Sequence, residues 1–176
     1  MLPSSLFNTA ENGLSLRLAT LDDAPSLLAW RNDPETRRSC RNTALVQRGE
    51  HARWLAELLR DSNRHLLIIT AHGQPCGQVR MDMTDKHMEL SWTIAPEFRR
   101  RGYARQILSQ IVQALPSEKL TAWIRPENIA SIRAAETAGF CFVETCGNFH
   151  KYETNRLETR LSGLLVKSEK KKSIEN

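Results

Sequence analysis

The stretch Arg99-Arg100-Arg101-Gly102-Tyr103-Ala104 decides how this chain is read. Before it, His87–Ile94 alternates strictly: Met88, Leu90, Trp92 and Ile94 face one way, Glu89, Ser91 and Thr93 the other, as in a half-buried strand. After it, Tyr103, Ile107, Leu108, Ile111, Val112 and Leu115 recur at helical spacing, which predicts a helix over 102–115 that Pro116 ends. The run therefore lies at a strand-to-helix junction. Small residues at 102 and 104 let a ligand approach the backbone, and the first N–H groups of a helix have no partner within it. With Arg99, Arg100, Arg101 and Arg105 nearby, the junction reads as a diphosphate cradle. The same residues also read as a solvated arginine run before a helix. The spacing matches neither the GxxxxGK[ST] nucleotide loop nor the GxGxxG dinucleotide turn.

Working outward, Leu120–Ile124 is a strand, parallel to the one before the helix if the crossover is right-handed. Asn128 is a suitable N-cap for a helix over 129–138, and Gly139 suits a left-handed C-cap. Two closing strands, Phe140–Thr145 and Phe149–Thr154, turn through Gly147-Asn148. Upstream, Leu14–Ala19 alternates as a strand, and Asp22-Asp23 opens a helix with Leu27, Leu28 and Trp30 on its apolar face. Asp33-Pro34 breaks that helix, and an arginine-rich, turn-forming stretch runs on to Gly49. A helix over 50–60 groups Trp54, Leu55, Leu58 and Leu59 on one face. Leu66–Thr70, a turn at Gly73-Gln74-Pro75, Gly77–Met83, a turn at Asp85-Lys86 and the strand ending at Ile94 form an antiparallel meander. The expected fold is α/β (α+β): a mixed, mostly antiparallel sheet of about seven strands flanked by about four helices.

The 176 residues suit one domain, and 40% apolar with 26% charged content is ordinary for a globular protein. No apolar run exceeds four residues, so no membrane span is expected. The N-terminal residues hold no basic residue before Arg17 and no apolar stretch, so no secretory signal is expected and a cytoplasmic location is. The net charge of +5 is concentrated in three places: 31–48 carries +3, 97–105 carries +3 and 167–176 carries +2. Cys40, Cys76, Cys141 and Cys146 form no CxxC pair, and the five His lack metal spacing. Reduced packing cysteines and no metal are expected.

The pattern [Q/R]-x-x-G-x-[G/A] at 99–104, with the strand ending Thr93-Ile94-Ala95-Pro96 before it and Asn128-Ile129-Ala130-Ser131 and Gly139-Phe140 after it, resembles the GNAT superfamily of acetyl-CoA-dependent N-acetyltransferases. The resemblance covers roughly 14–155 and implies a GNAT-like sheet. It implies that the backbone of Trp92, Thr93 and Ile94 pairs with the pantetheine arm of acetyl-CoA, like a strand added to a splayed sheet. It assigns the phosphates to the segment Arg99, Arg100, Arg101, Gly102, Tyr103, Ala104 and Arg105, and the cofactor arm to Asn128 and Ser131. Members often carry a general-acid Tyr seven residues after that Asn; this chain has Ala135. Glu89, on the polar face of the strand entering the site, is the candidate general base, with a solvent-side ion pair as its other reading. Direct transfer, without an acyl-enzyme on Cys141, is implied.

The segment Trp30-Arg31-Asn32-Asp33-Pro34-Glu35-Thr36-Arg37-Arg38 and the later Glu50-His51 and Trp54-Leu55 resemble N-terminal regions of GNAT enzymes that acetylate nucleotide-linked amino sugars, as in pseudaminic-acid-type pathways. On that resemblance, Arg31, Arg37, Arg38 and Arg41 clamp a nucleotide diphosphate and Trp30 or Trp54 stacks on a base. A solvated basic loop beside two core tryptophans is the other reading. Similar Trp-Arg-Asn starts occur in ribosomal-protein N-acetyltransferases, so a protein amine is an alternative acceptor. A basic RNA- or ribosome-binding module is the alternative of another class; aromatics at 6%, not interleaved with the basic runs, weigh against nucleic acid. The expected layout is an extension over 1–13, the acetyltransferase domain over 14–156 and a Lys-rich, disordered tail within 157–176, as a monomer or homodimer.

Overall fold

The computed structural model describes residues 2–10, 13–84 and 86–154, and the expected tail lies outside them. Seven strands form one sheet in the order β1-β2-β3-β4-β5-β7-β6. They are β1 (Leu14–Leu18), β2 (Arg64–Ala71), β3 (Gln74–Met83), β4 (Met88–Ile94), β5 (Leu120–Ile124), β6 (Phe140–Cys146) and β7 (Phe149–Thr154). All neighbours are antiparallel except β4 and β5, which are parallel. The helices are α1 (Ala24–Asn32), α2 (Pro34–Ser39), α3 (Arg48–Leu58), α4 (Tyr103–Ala114) and α5 (Ile129–Thr137).

Alternation within the strands splits the interior in two. On one face, Val79, Met81, Met88, Leu90, Leu120 and Ala122 pack against Ile107, Leu108 and Ile111 of α4 and Ala134 and Ala135 of α5. On the other, Leu66 and Ile68 meet Leu27 and Trp30 of α1 and Leu55 and Leu58 of α3. β2 is covered on both faces, which explains its unbroken apolar run. The N-terminal residues join the first core: Leu6 is fully buried, and Gln110 of α4 donates to the carbonyls of Leu6 and Asn8.

Several expectations change. The stretch after Asp33 is not simply a turn: the Asp33 carboxylate accepts from the Thr36 N–H, caps a new helix, and Pro34 sits in its first turn, where the missing N–H costs nothing. That makes five α-helices among the described residues. α3 begins at Arg48; it buries His51 and leaves Leu59, beyond its end, exposed. The β2–β3 turn falls at His72-Gly73, both with positive φ, and Pro75 belongs to the strand at a bulge beside Thr70. Of the cysteines only Cys76 is a buried packing residue, its thiol pushed up to about 11 by burial; Cys141 and Cys146 are exposed. No helix among the described residues is long and apolar enough to cross a membrane.

Candidate active site

β4 and β5 are paired only at Met88 with Leu120 and Glu89 with Thr121. Beyond those rows the two strands separate, so residues 90–94 of β4 lack a strand partner on that side. An extended chain of suitable length can add there, as a missing strand would. The alternation holds along β4: Leu90 belongs to the α4–α5 core, and Glu89 lies on the opposite face.

The open end of this gap meets the start of α4. Gly102 is the N-cap with φ 78°, and Arg100 is also left-handed at φ 63°. Among the described residues no side chain caps α4, so its first-turn N–H groups are available to an outside acceptor. A Cβ at Gly102 would find nothing closer than 3.7 Å, so its requirement is conformational and not one of space. The arginines of this loop point to different partners. Arg101 donates to the Glu97 carbonyl and lies over the Phe98 ring, which in turn packs near Tyr103. The Arg99 guanidinium faces α2, where it bonds Asp33, Glu35 and Thr36.

Asn128 caps α5 by accepting from the Ser131 N–H, and its Nδ2 donates 3.1 Å to Ser39 Oγ on α2. Ala135 is fully buried under this helix in the core.

Glu89 sits at the apex where β4 and β5 part, with Asp82 opposite on β3 and Thr121 opposite on β5. Asp82 accepts from Arg64 Nε at 2.9 Å and forms an ion pair, without hydrogen-bond geometry, with Arg80 at 2.8 Å. Among the described residues the cation paired with Glu89 is Arg41, loosely, at 3.7 Å. Thr121 is fully buried and its Oγ1 has no hydrogen-bond partner among the described residues. Arg41 also lies within 6 Å of the Trp123 and Phe149 rings, and Arg125 stacks on Phe149 at 4.7 Å. Sequence reasoning missed Thr121, Trp123, Arg125 and Phe149. Alternation along Thr121-Ala122-Trp123-Ile124-Arg125 carried the signal, but only the register with β4 and β7 shows which face reaches Glu89.

The acceptor-side residues are partly brought together. Arg31 donates 2.7 Å to the Asn42 carbonyl while its Nη1, like Nε of Arg37, is buried without a hydrogen-bond partner among the described residues; Arg38 is exposed on α2. Trp30 cannot stack on a ligand as expected, because it is 6% exposed inside the α1–α3 core. Trp54 is half-buried, 5.2 Å from the His51 ring, whose basicity is lowered by burial and by Arg31.

A family model described as an acetyltransferase (GNAT) domain matches residues 14–141. No curated protein matches the chain. Among solved structures, the chain is similar to a domain from Methanocaldococcus jannaschii (24% identity, 81% of this chain and 97% of that one, TM-score 0.72). It is similar to the aminoglycoside acetyltransferase AAC(6')-Ib in complex with coenzyme A and kanamycin (19%, 82% and 95%, TM-score 0.70). It is also similar to spermidine N-acetyltransferase from Vibrio cholerae in complex with CoA and spermine (14%, 80% and 93%, TM-score 0.70). At these identities the likeness concerns the fold.

Proposed function

The chain belongs to the GNAT acetyltransferase family, and from that premise we propose that it transfers the acetyl group of acetyl-CoA directly to a primary amine, the amine of a nucleotide-linked amino sugar. The observation that carries the first part is the parting of β4 from β5 after Glu89, with the uncapped start of α4 at the open end. An extended arm ending in a diphosphate fits that combination, and few other ligands need both halves of it. Two of the structural neighbours were solved with CoA together with an amine, kanamycin or spermine, which supports an amine acceptor.

When bound, acetyl-CoA supplies an activated acyl thioester. The residues of this chain then have separate tasks. The backbone of Trp92, Thr93 and Ile94 holds the arm, the N–H groups over 100–105 hold the pyrophosphate, and Asn128 and Ser131 border it at the start of α5. Glu89 takes a proton from the acceptor ammonium, directly or through water, so that a neutral amine attacks. Its weak hold on Arg41 leaves the carboxylate accessible for this task. Position 135 is an alanine and offers no phenol, so the proton that the attacking nitrogen loses as the amide forms passes through solvent to the thiolate as the C–S bond breaks.

The nucleotide-sugar acceptor rests on the guanidinium nitrogens of Arg31 and Arg37 that find no partner among the described residues, with exposed Arg38 next in sequence, donors that suit a diphosphate better than a polyamine. The test is acetyl-CoA thiol release screened over amino-sugar nucleotides, aminoglycosides, polyamines and peptides. A nucleotide-linked amino sugar should exceed the same sugar without its diphosphate by at least about tenfold in kcat/KM. A polyamine or peptide as the best acceptor would overturn the acceptor assignment. Absence of CoA binding would overturn acetyl transfer itself.

A further inference from the structure

Arg99 holds the first position of the glycine-loop pattern, where its charge would be assigned to phosphate. Its geometry is different. Nε donates 3.3 Å to the carbonyl of Ile94 at the end of β4, Nη1 bonds the Glu35 carboxylate at 2.9 Å, and Nη2 bonds Asp33 Oδ2 at 2.5 Å and Thr36 Oγ1 at 3.0 Å. All three nitrogens are engaged, and the side chain is only 22% exposed. Asp33 is equally committed: the same oxygen caps α2. Burial alone would raise its pKa, yet the bonds from Arg99 and Thr36 hold the carboxyl below its ordinary range.

The other end of α2 is tied to the opposite side of the gap. Asn128, at the start of α5, donates to Ser39 Oγ, and Arg125, just beyond β5, donates to the Cys40 carbonyl at 3.0 and 3.3 Å. α2 is thus fastened at its first turn to β4 and the phosphate loop, and at its last residue to the β5–α5 connection. It spans the two arms of the splay as a strap.

We propose that Arg99 is a positioning residue: its side chain anchors this strap, which carries Arg37 and Arg38, while the phosphate is left to the backbone N–H groups beyond it. This rests on the acetyl-transfer reading for its purpose, but its geometry can be tested without substrate. Arg37 and Arg38 are themselves trypsin sites, so anchoring is read directly as resistance to cleavage there.

The experiment compares the full chain with Arg99→Gln, Arg99→Lys and Glu35→Gln. It measures the rate of tryptic cleavage after Arg37 and Arg38, CoA affinity by calorimetry, and the urea midpoint as a check of folding. Arg99→Gln should speed cleavage about tenfold, because local opening of α2 loses several charge-assisted bonds, with CoA Kd changed less than about twofold. Arg99→Lys should recover part of the protection, since one ammonium can meet Asp33 but not also Glu35 and Ile94. Glu35→Gln alters an exposed carboxylate that the fold does not need, and should speed cleavage about two- to threefold. Cleavage unchanged in Arg99→Gln would overturn the anchor. Faster cleavage with CoA affinity lowered tenfold or more would overturn the division of labour and make Arg99 a phosphate ligand as well. If the unaltered chain binds no CoA, the functional reading fails, and the cleavage rates still decide whether Arg99 holds α2.

Discussion

Residues 97–105 and 31–48 each carry a net charge of +3, but the two segments are held in place by different means. In the first, the decisive geometry is in the backbone: left-handed residues at 100 and 102 turn the chain from the end of β4 into an uncapped α4. In the second, it is in side chains whose partners lie far along the sequence: Arg99 on Asp33 and Glu35, Asn128 on Ser39, Arg125 on the Cys40 carbonyl. A backbone-built site is fixed by a few local residues and tolerates change of the charges around it. A side-chain-built one is only as good as its most distant partner.

The sharpest way to break this contrast is at Gly102. A Cβ there meets no clash, but valine must hold a positive φ that β-branched residues avoid, so the loop should abandon its geometry while the core persists. CoA affinity should fall about a hundredfold or more, because every N–H donor over 103–105 is re-aimed together. Calorimetry with CoA, alongside an unchanged far-ultraviolet circular dichroism spectrum, checks this. Unchanged affinity would mean that charge and not backbone shape makes the site.

The same contrast separates what the sequence encodes locally from what only tertiary pairing sets. The strand, glycine turn and long helix over 87–115 follow from period and punctuation within one short stretch, as do the Asn128 cap and the left-handed Gly139. The parting of β4 and β5 is a matter of register between strands 32 residues apart, and no local pattern encodes it. The sequence over 33–49 predicts a turn because Asp33-Pro34 ends one helix; that the same pair begins another depends on the Asp33 carboxylate folding back onto the Thr36 N–H. Trp30 and Trp54 looked alike as aromatic flanks of a basic loop. Only the packing of α1 on α3 separates a core residue from a half-exposed one.

An intermediate effect is expected from Arg37→Ala with Arg38→Ala. Both residues ride on α2, and among the described residues neither makes a hydrogen bond or ion pair with the phosphate loop, so the acceptor KM should rise about tenfold while the acetyl-CoA KM changes less than about twofold. Initial rates with each substrate varied in turn measure the split. Equal losses for both substrates would mean that the two basic segments form one site and that the distinction drawn between them is wrong.

The smallest effect concerns acid. The strap region hangs on carboxylates: Asp33 under Arg99, and Asp23, which is buried and takes two bonds from Arg17 at 2.6 and 2.8 Å just before α1. In Asp23 the hydrogen bonds from Arg17 outweigh the burial that would raise it, so both carboxyls titrate below their ordinary range when folded. A depressed folded pKa adds stability that is complete above the unfolded value, about 3.9 for Asp, and is lost as pH falls through the folded one. Both ion pairs are partly open to solvent, so a loss of about 1 kcal/mol per pair, roughly fivefold in local opening, is the appropriate scale. Among the described residues the loop before α4 meets these carboxylates only through Arg99, on its β4 side, and the left-handed turn at Gly102 is held by backbone conformation. Hydrogen exchange, corrected for intrinsic rates between pH 6 and 3, should therefore show protection in α1 and α2 declining below pH 4 while α4 holds. Parallel decline in all three helices would place the acid sensitivity in the whole domain, and Asp23→Asn would then fail to flatten it selectively at α1.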